Sequence, residues 1–216
     1  MRHELTGDLF RGSVPNRIHN CRSAPLASRG ARHVVCAEFD QAVHVEAVLL
    51  TGMFGVGKST IAAEMADLLE DAGVPYAALD LDWLTWCNVG DGGRASEHAM
   101  LLLNLEAVVA NYRAGGVRYF VLARWIRDRD ELAGLIATMG MPLHTVELVV
   151  PLDEITRRVG TDPTAGRLDD LAESVAWVEN GGGVGFAEFT VDNDRPVRKV
   201  AADILRSLAW PPYAGG

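Results

Sequence analysis

The stretch TGMFGVGKST, residues 51–60, decides how the rest of the chain is read. Gly52 is followed by four residues and then by Gly57, Lys58 and Ser59, the G-x-x-x-x-G-K-S/T spacing of a phosphate-binding loop. Its position gives the match its force. The apolar run VEAVLLT (45–51) before it reads as a buried strand, and Ile61, Met65, Leu68 and Leu69 after it recur on one face of a helix over 58–72. Glycines between a strand and a helix let successive N–H groups curl toward phosphate oxygens, while the helix dipole adds partial positive charge there. Gly52, Phe54, Gly55, Val56, Gly57, Lys58, Ser59 and Thr60 are thus expected to bind a nucleoside triphosphate. Lys58 would bridge its β- and γ-phosphates and Ser59 would offer a hydroxyl to Mg²⁺. The plainer explanation is a glycine-rich turn that happens to contain Lys-Ser. Only Lys58 and Lys199 are lysines among twenty basic residues, which weakens it.

Working outward, apolar runs alternate with amphipathic stretches, the signature of βαβ units and a parallel sheet. Strands are predicted at 45–51, 75–81, 117–123, 144–150 and 186–192. Helices are predicted at 97–113 with Ser96 as N-cap, at 128–139, over DEITRRV, over DDLAESVAWVEN and at 196–210 with Pro196 in the first position. GTDPTAGR (160–167) reads as a mobile segment. Residues 1–44, with six arginines, four acids and no sustained period, read as an irregular or disordered extension ahead of a domain at 45–212. Alternatively, translation begins near Val43 or Val45.

A net charge of −9 argues against a nucleic-acid or anionic-membrane surface, which demands a broad basic face, and leaves a small anionic ligand open. Cys21, Cys36 and Cys87 have neither metal-ligand spacing nor a disulfide framework, so a reducing cytoplasm fits best. The apolar segment at 100–110 is broken by Asn104 and Glu106, too soon for a membrane span.

The loop alone does not separate kinases, GTPases and motor ATPases. Neither lysine sits in a guanine-reading Asn-Lys-x-Asp. A motor ATPase usually ends an apolar strand with a Mg²⁺-holding acid, but the third strand here ends VLARW, with Ala123 and Arg124 at that place. The acids stand instead in LDLD, where Asp80 and Asp82 close the second strand. Residues two apart on a strand face one side, so both carboxylates should project beside the phosphate loop. One would orient or deprotonate an acceptor hydroxyl or help anchor Mg²⁺, unless it simply caps the next turn.

On GMFGVGKST, LDLD and RRVGTDPTAGR, across residues 46–210, the chain resembles the P-loop small-molecule kinases of the adenylate-kinase-like branch. Shikimate kinase, gluconate kinase, adenylylsulfate kinase and chloramphenicol phosphotransferase belong to it. The resemblance implies a three-layer α/β fold with a five-stranded parallel sheet of order 2-3-1-4-5, ATP on the phosphate loop, an acceptor against the strand-two acids, and a lid over 157–168. It departs in lacking an acid after strand three and in its N-terminal extension.

Closure of that lid would bring Arg158 and Arg167 to the transferring phosphoryl group and exclude water, although ion pairs of Arg157, Arg158 and Arg167 with Glu154, Asp169 or Asp170 are an equal account. Asn193 falls where the family closes the adenine pocket, while a turn before the last helix explains it as well. Trp83 and Trp86 follow the acids where an acceptor's ring would stack, yet large aromatics more often belong to a core. Arg124, Arg127 and Arg129 fit an anionic acceptor less well than a charged helix start. The catalytic set is then Lys58, Asp80, Asp82, Arg158 and Arg167, with Asn193 on the nucleotide and Ser59 and Asp80 at Mg²⁺. The expected activity is transfer of the ATP γ-phosphoryl group to a hydroxyl, or a phosphate, of a small metabolite. A module that binds ATP or GTP and changes shape without phosphorylating a metabolite is the alternative.

Overall fold

Neighbouring residues of the first strand, β1 (Glu46–Thr51), divide between two cores: Val48 and Leu50 face one, Ala47 and Leu49 the other, all fully buried. An apolar strand buried on both faces sits at the centre of a parallel sheet. The computed structural model describes residues 44–87, 93–160 and 187–213 together with Ala172, Val175, Ala176 and Gly185. The extension over 1–43, most of the lid with Arg167, and nearly all of the helix expected over 169–180 lie outside the described residues.

β1 pairs in parallel with β3 (Tyr119–Ala123) and β4 (Leu143–Val149), β2 (Tyr76–Asp80) pairs with β3, and β5 (Phe189–Asp192) pairs with β4. The order β2-β3-β1-β4-β5 is the one the resemblance implied. On one face α1 (Lys58–Asp71) packs with the closing helix, placing Ile61, Met65 and Leu69 beside Val200, Ile204 and Leu205. On the other, α2 (Gly93–Ala114) and α3 (Arg129–Met139) bring Leu101, Leu105, Leu135 and Met139 against the sheet. A short helix, α4 (Leu152–Gly160), follows β4, and the closing helix is α5 (Val197–Ser207).

Several boundaries differ from expectation. α2 starts at Gly93, so Ser96 is not its N-cap but lies within its first turn; the helix formers Arg94 and Ala95 extend the helix at little cost once its nucleus exists. Pro196 is the N-cap of α5 and not its first helical residue, because its ψ of 131° is extended while its carbonyl accepts from Lys199 and Val200. β2 ends at Asp80, and Leu81–Leu84 form a 3-10 turn, so Asp82 is off the strand. Past α5 the buried Trp210 packs on Tyr119, with ring centroids 4.8 Å apart, and donates its indole N–H to Glu46. Among the described residues no helix is long and apolar enough to cross a membrane.

Candidate active site

Two glycines shape the loop between β1 and α1. Gly52 has φ +124°, and a Cβ on it would stand 2.4 Å from the Leu148 carbonyl oxygen. Gly57 has φ +95°, and a Cβ there would meet the Asn193 amide nitrogen at 2.8 Å. Both positions exclude side chains by conformation and by space. The Lys58 ammonium turns back across the loop, donating to the carbonyls of Gly52 at 3.0 Å and Met53 at 2.9 Å. Gly57, the N-cap of α1, supplies no side-chain cap, and the first turn carries no acid, so its amides and dipole are left to an incoming anion.

The acids after β2 meet this loop. Asp80 accepts from the Ser59 hydroxyl at 2.5 Å and from the Asp82 backbone N–H at 3.1 Å, so it caps the 3-10 turn and engages the loop together. Asp82 accepts at 2.9 Å from Arg124. The strand-alternation argument for their convergence is therefore replaced by a tight turn that swings Asp82 back toward the loop.

Arg124 extends the apolar β3 and is buried, with Nε donating to Glu131 of α3 at 2.8 Å. Glu131 also accepts from the Arg127 backbone N–H at 3.1 Å. The charged helix start reading holds: Asp128 caps α3, with Asp130 and Glu131 in its first turn. Glu131 as a partner in the site was missed. An arginine continuing an apolar strand must be neutralised where it is buried, which is a signal for a nearby acid. The Arg127 guanidinium lies 4.5 Å over the Trp125 ring.

The cleft above these groups has a volume of about 750 Å³. Phe54, Gly55, Gly57, Lys58, Ser59 and Thr60 line it from the loop, and Asp80, Asp82, Arg158 and Asn193 from elsewhere. Gly52 and Val56 stand behind its wall: Gly52 backs onto Leu148, and Val56 is buried. The buried Asn193 donates to the Val56 carbonyl at 2.7 Å, tying the end of β5 to the loop. Arg158 reaches the Asn193 carbonyl at 3.1 Å and holds Glu154 at 2.6 Å. Arg157 pairs with Glu154 at 2.7 Å, as the ion-pair account expected. Hydrogen bonds from Arg157 and Arg158 hold the Glu154 carboxyl at about 2. Trp83 and Trp86 do not join a core; they are 67% and 76% exposed and line the cleft. A smaller cavity of about 230 Å³ continues past Lys58 and Asp82 to Glu97 and Arg127.

Burial by the loop lowers the Lys58 ammonium to about 8, against the opposing pull of Asp82 and Asp80. Asp82 moves the other way, raised by desolvation in the cleft and by Asp80, while Arg124 and Lys58 oppose the shift. The Asp82 side chain is 69% exposed to the cleft, so solvent keeps that upward shift small.

No protein-family model matches the chain. A curated relative from Aeropyrum pernix described as "Probable adenylyl-sulfate kinase" is 29% identical over 116 residues, 51% of this chain, and the matched region spans 62% of that relative's length. Among solved structures, a sugar kinase from Janibacter sp. HTCC2649 aligns with a TM-score of 0.55 at 17% identity, covering 78% of this chain and 96% of that one. The tunicamycin resistance protein of Deinococcus radiodurans gives 0.55 at 20% identity over 77% and 97%. The Mycobacterium tuberculosis APS kinase, solved with AMPPNP and APS, gives 0.50 at 20% over 76% and 98%. In fold, and in the loop and acid motifs that first suggested it, the chain resembles the P-loop small-molecule kinases.

Proposed function

We propose that the chain is an ATP-dependent phosphotransferase that moves the γ-phosphoryl group to a hydroxyl of a small metabolite. The observation that carries this reading is the convergence of Ser59, Asp80 and Asp82 on one cleft with Lys58 and the uncapped start of α1. A purely structural turn has no need of two carboxylates against a depressed lysine.

The two acids divide the work. Asp80, already engaged with the Ser59 hydroxyl, belongs to the metal side. Mg²⁺ takes few protein oxygens and completes its shell from phosphates and water, and these two hard oxygens fit that demand where no acid follows β3. When bound, the ion neutralises charge on the transferring phosphoryl group. Asp82, held at one oxygen by Arg124 and raised in basicity, orients the acceptor hydroxyl and receives its proton. The acceptor oxygen then bonds to the γ-phosphorus as the bond to the β–γ bridging oxygen breaks. Lys58 and the α1 amides stabilise the charge left on the departing diphosphate, and Arg158, standing over Gly57, is the lid-side cation.

Lys58→Ala is expected to abolish transfer with an unchanged circular dichroism spectrum, and Asp82→Asn to lower kcat by ~10²-fold or more while leaving AMPPNP binding intact. ATP consumption is measured against a metabolite pool with and without the added acceptor fraction. Consumption indifferent to any acceptor would favour a nucleotide-driven module instead.

A further inference from the structure

Four tryptophans fall among the described residues, and they divide sharply. Trp125 and Trp210 are buried, whereas Trp83 and Trp86 leave most of their surface open in the cleft. An indole is among the largest apolar surfaces a chain can hide, so two together in the open are informative. Their ring centroids lie 4.7 Å apart with the planes tilted by 38°.

The turn that carries them is firmly held. Leu81 is fully buried beneath it, and Asp80 caps its start. The Thr85 hydroxyl donates to the Asp82 carbonyl at 3.0 Å, and Asn104 of α2 donates to the Leu84 carbonyl at 2.7 Å. Trp83 therefore follows the acceptor-orienting Asp82 on a braced backbone, and the pair forms a preorganised apolar wall. The loop, with its uncapped α1 amides, is the part of the cleft that suits the nucleotide's phosphates, which leaves the indoles to another group.

We infer that Trp83 and Trp86 are the acceptor platform, and that the acceptor is a hydroxyl-bearing molecule with an aromatic ring that extends the indole stack while its hydroxyl reaches Asp82. This deepens the phosphotransferase reading and rests on it. Tilted, offset stacking of a third ring is the geometry aromatic groups prefer, and it fixes the ring without consuming polar groups needed for chemistry.

The test compares phenyl β-D-glucoside with methyl β-D-glucoside, which share their hydroxyls and differ in the ring. Binding is measured by saturation-transfer NMR and calorimetry on the full chain saturated with Mg²⁺ and AMPPNP. The phenyl probe is expected to bind about tenfold more tightly, the ratio that one added aromatic pair supports. That advantage should vanish in Trp83→Leu/Trp86→Leu, whose exposed positions leave the fold undisturbed, with AMPPNP affinity within about twofold of the parent. Equal binding of the two glucosides, absence of phenyl-probe binding, or an advantage surviving in the double variant overturns the inference. So does a collapse of AMPPNP affinity in the double variant, which would make the indoles a nucleotide platform. Failure of the parent chain to bind AMPPNP instead strikes the phosphotransferase reading itself.

Discussion

Raising pH through 8 should weaken nucleotide binding through one identifiable proton. Burial by the loop holds Lys58 of the free protein at about 8, so half of the molecules are neutral at that pH. A phosphate oxygen some 4 Å from an ammonium contributes about 4 kcal/mol at an effective dielectric of 20. That corresponds to roughly three pKa units, enough to return the bound lysine to or above its ordinary value. The shift on binding is upward, so the complex holds more protons than the free protein. Affinity from this group is therefore full below the free value and lost as pH rises through it. Uptake should be near zero at pH 6.5, about half a proton at pH 8 and about nine-tenths at pH 9, with the association constant falling about tenfold per unit above 8. Calorimetric titration of Mg²⁺–AMPPNP in two buffers of different ionisation enthalpy counts these protons directly. Lys58→Arg, which stays charged throughout, is the control and should show none. Normal binding at pH 8 without uptake, or the same uptake in Lys58→Arg, would refute the assignment.

Three further outcomes follow from packing. Gly52→Ala places a Cβ 2.4 Å from the Leu148 carbonyl oxygen at a φ of +124°, so it should lower stability by ~1–3 kcal/mol in chemical denaturation and distort the loop enough to weaken nucleotide binding. Glu131→Ala leaves the buried Arg124 without its carboxylate on α3 and should cost ~3–5 kcal/mol, whereas Arg124→Met/Glu131→Met should recover much of that stability but not activity, because Asp82 loses its partner. Trp210→Ala empties a fully enclosed site between β3 and α5 and should cost ~3–5 kcal/mol, read as a lower denaturation midpoint with unchanged nucleotide affinity.

The framework was legible because its signals are local. β1 declares itself by an unbroken apolar run, α1 by Ile61, Met65 and Leu69, and the loop by glycines that no other residue can replace at Gly52 and Gly57. Parallel register needs only that such units repeat, so the sheet followed. The strand order itself came from resemblance, since nothing in an apolar run says which neighbour it will choose. Boundaries slipped where two weak preferences compete. Ser96 is a good cap, but Arg94 and Ala95 are good helix formers, and the helix took both.

The cleft was half legible for a different reason. Asp80 and Asp82 are legible from their place after an apolar strand, but strand alternation does not hold where the chain makes a 3-10 turn. The prediction of convergence survived because both conformations lead the chain past the same sheet edge. Asp80 is drawn to Ser59, leaving Asp82 to swing toward Arg124. The Arg124–Glu131 pair could not be read from spacing, because its geometry depends on how α3 leans on the end of β3. Trp83 and Trp86 failed for the opposite reason. A statistical preference for burial does not fix any single residue, and here the 3-10 turn after β2 leaves both indoles open to the cleft. An exposed indole pair next to an acid departs from the burial that large apolar side chains favour, and the acceptor-platform proposal rests on that departure.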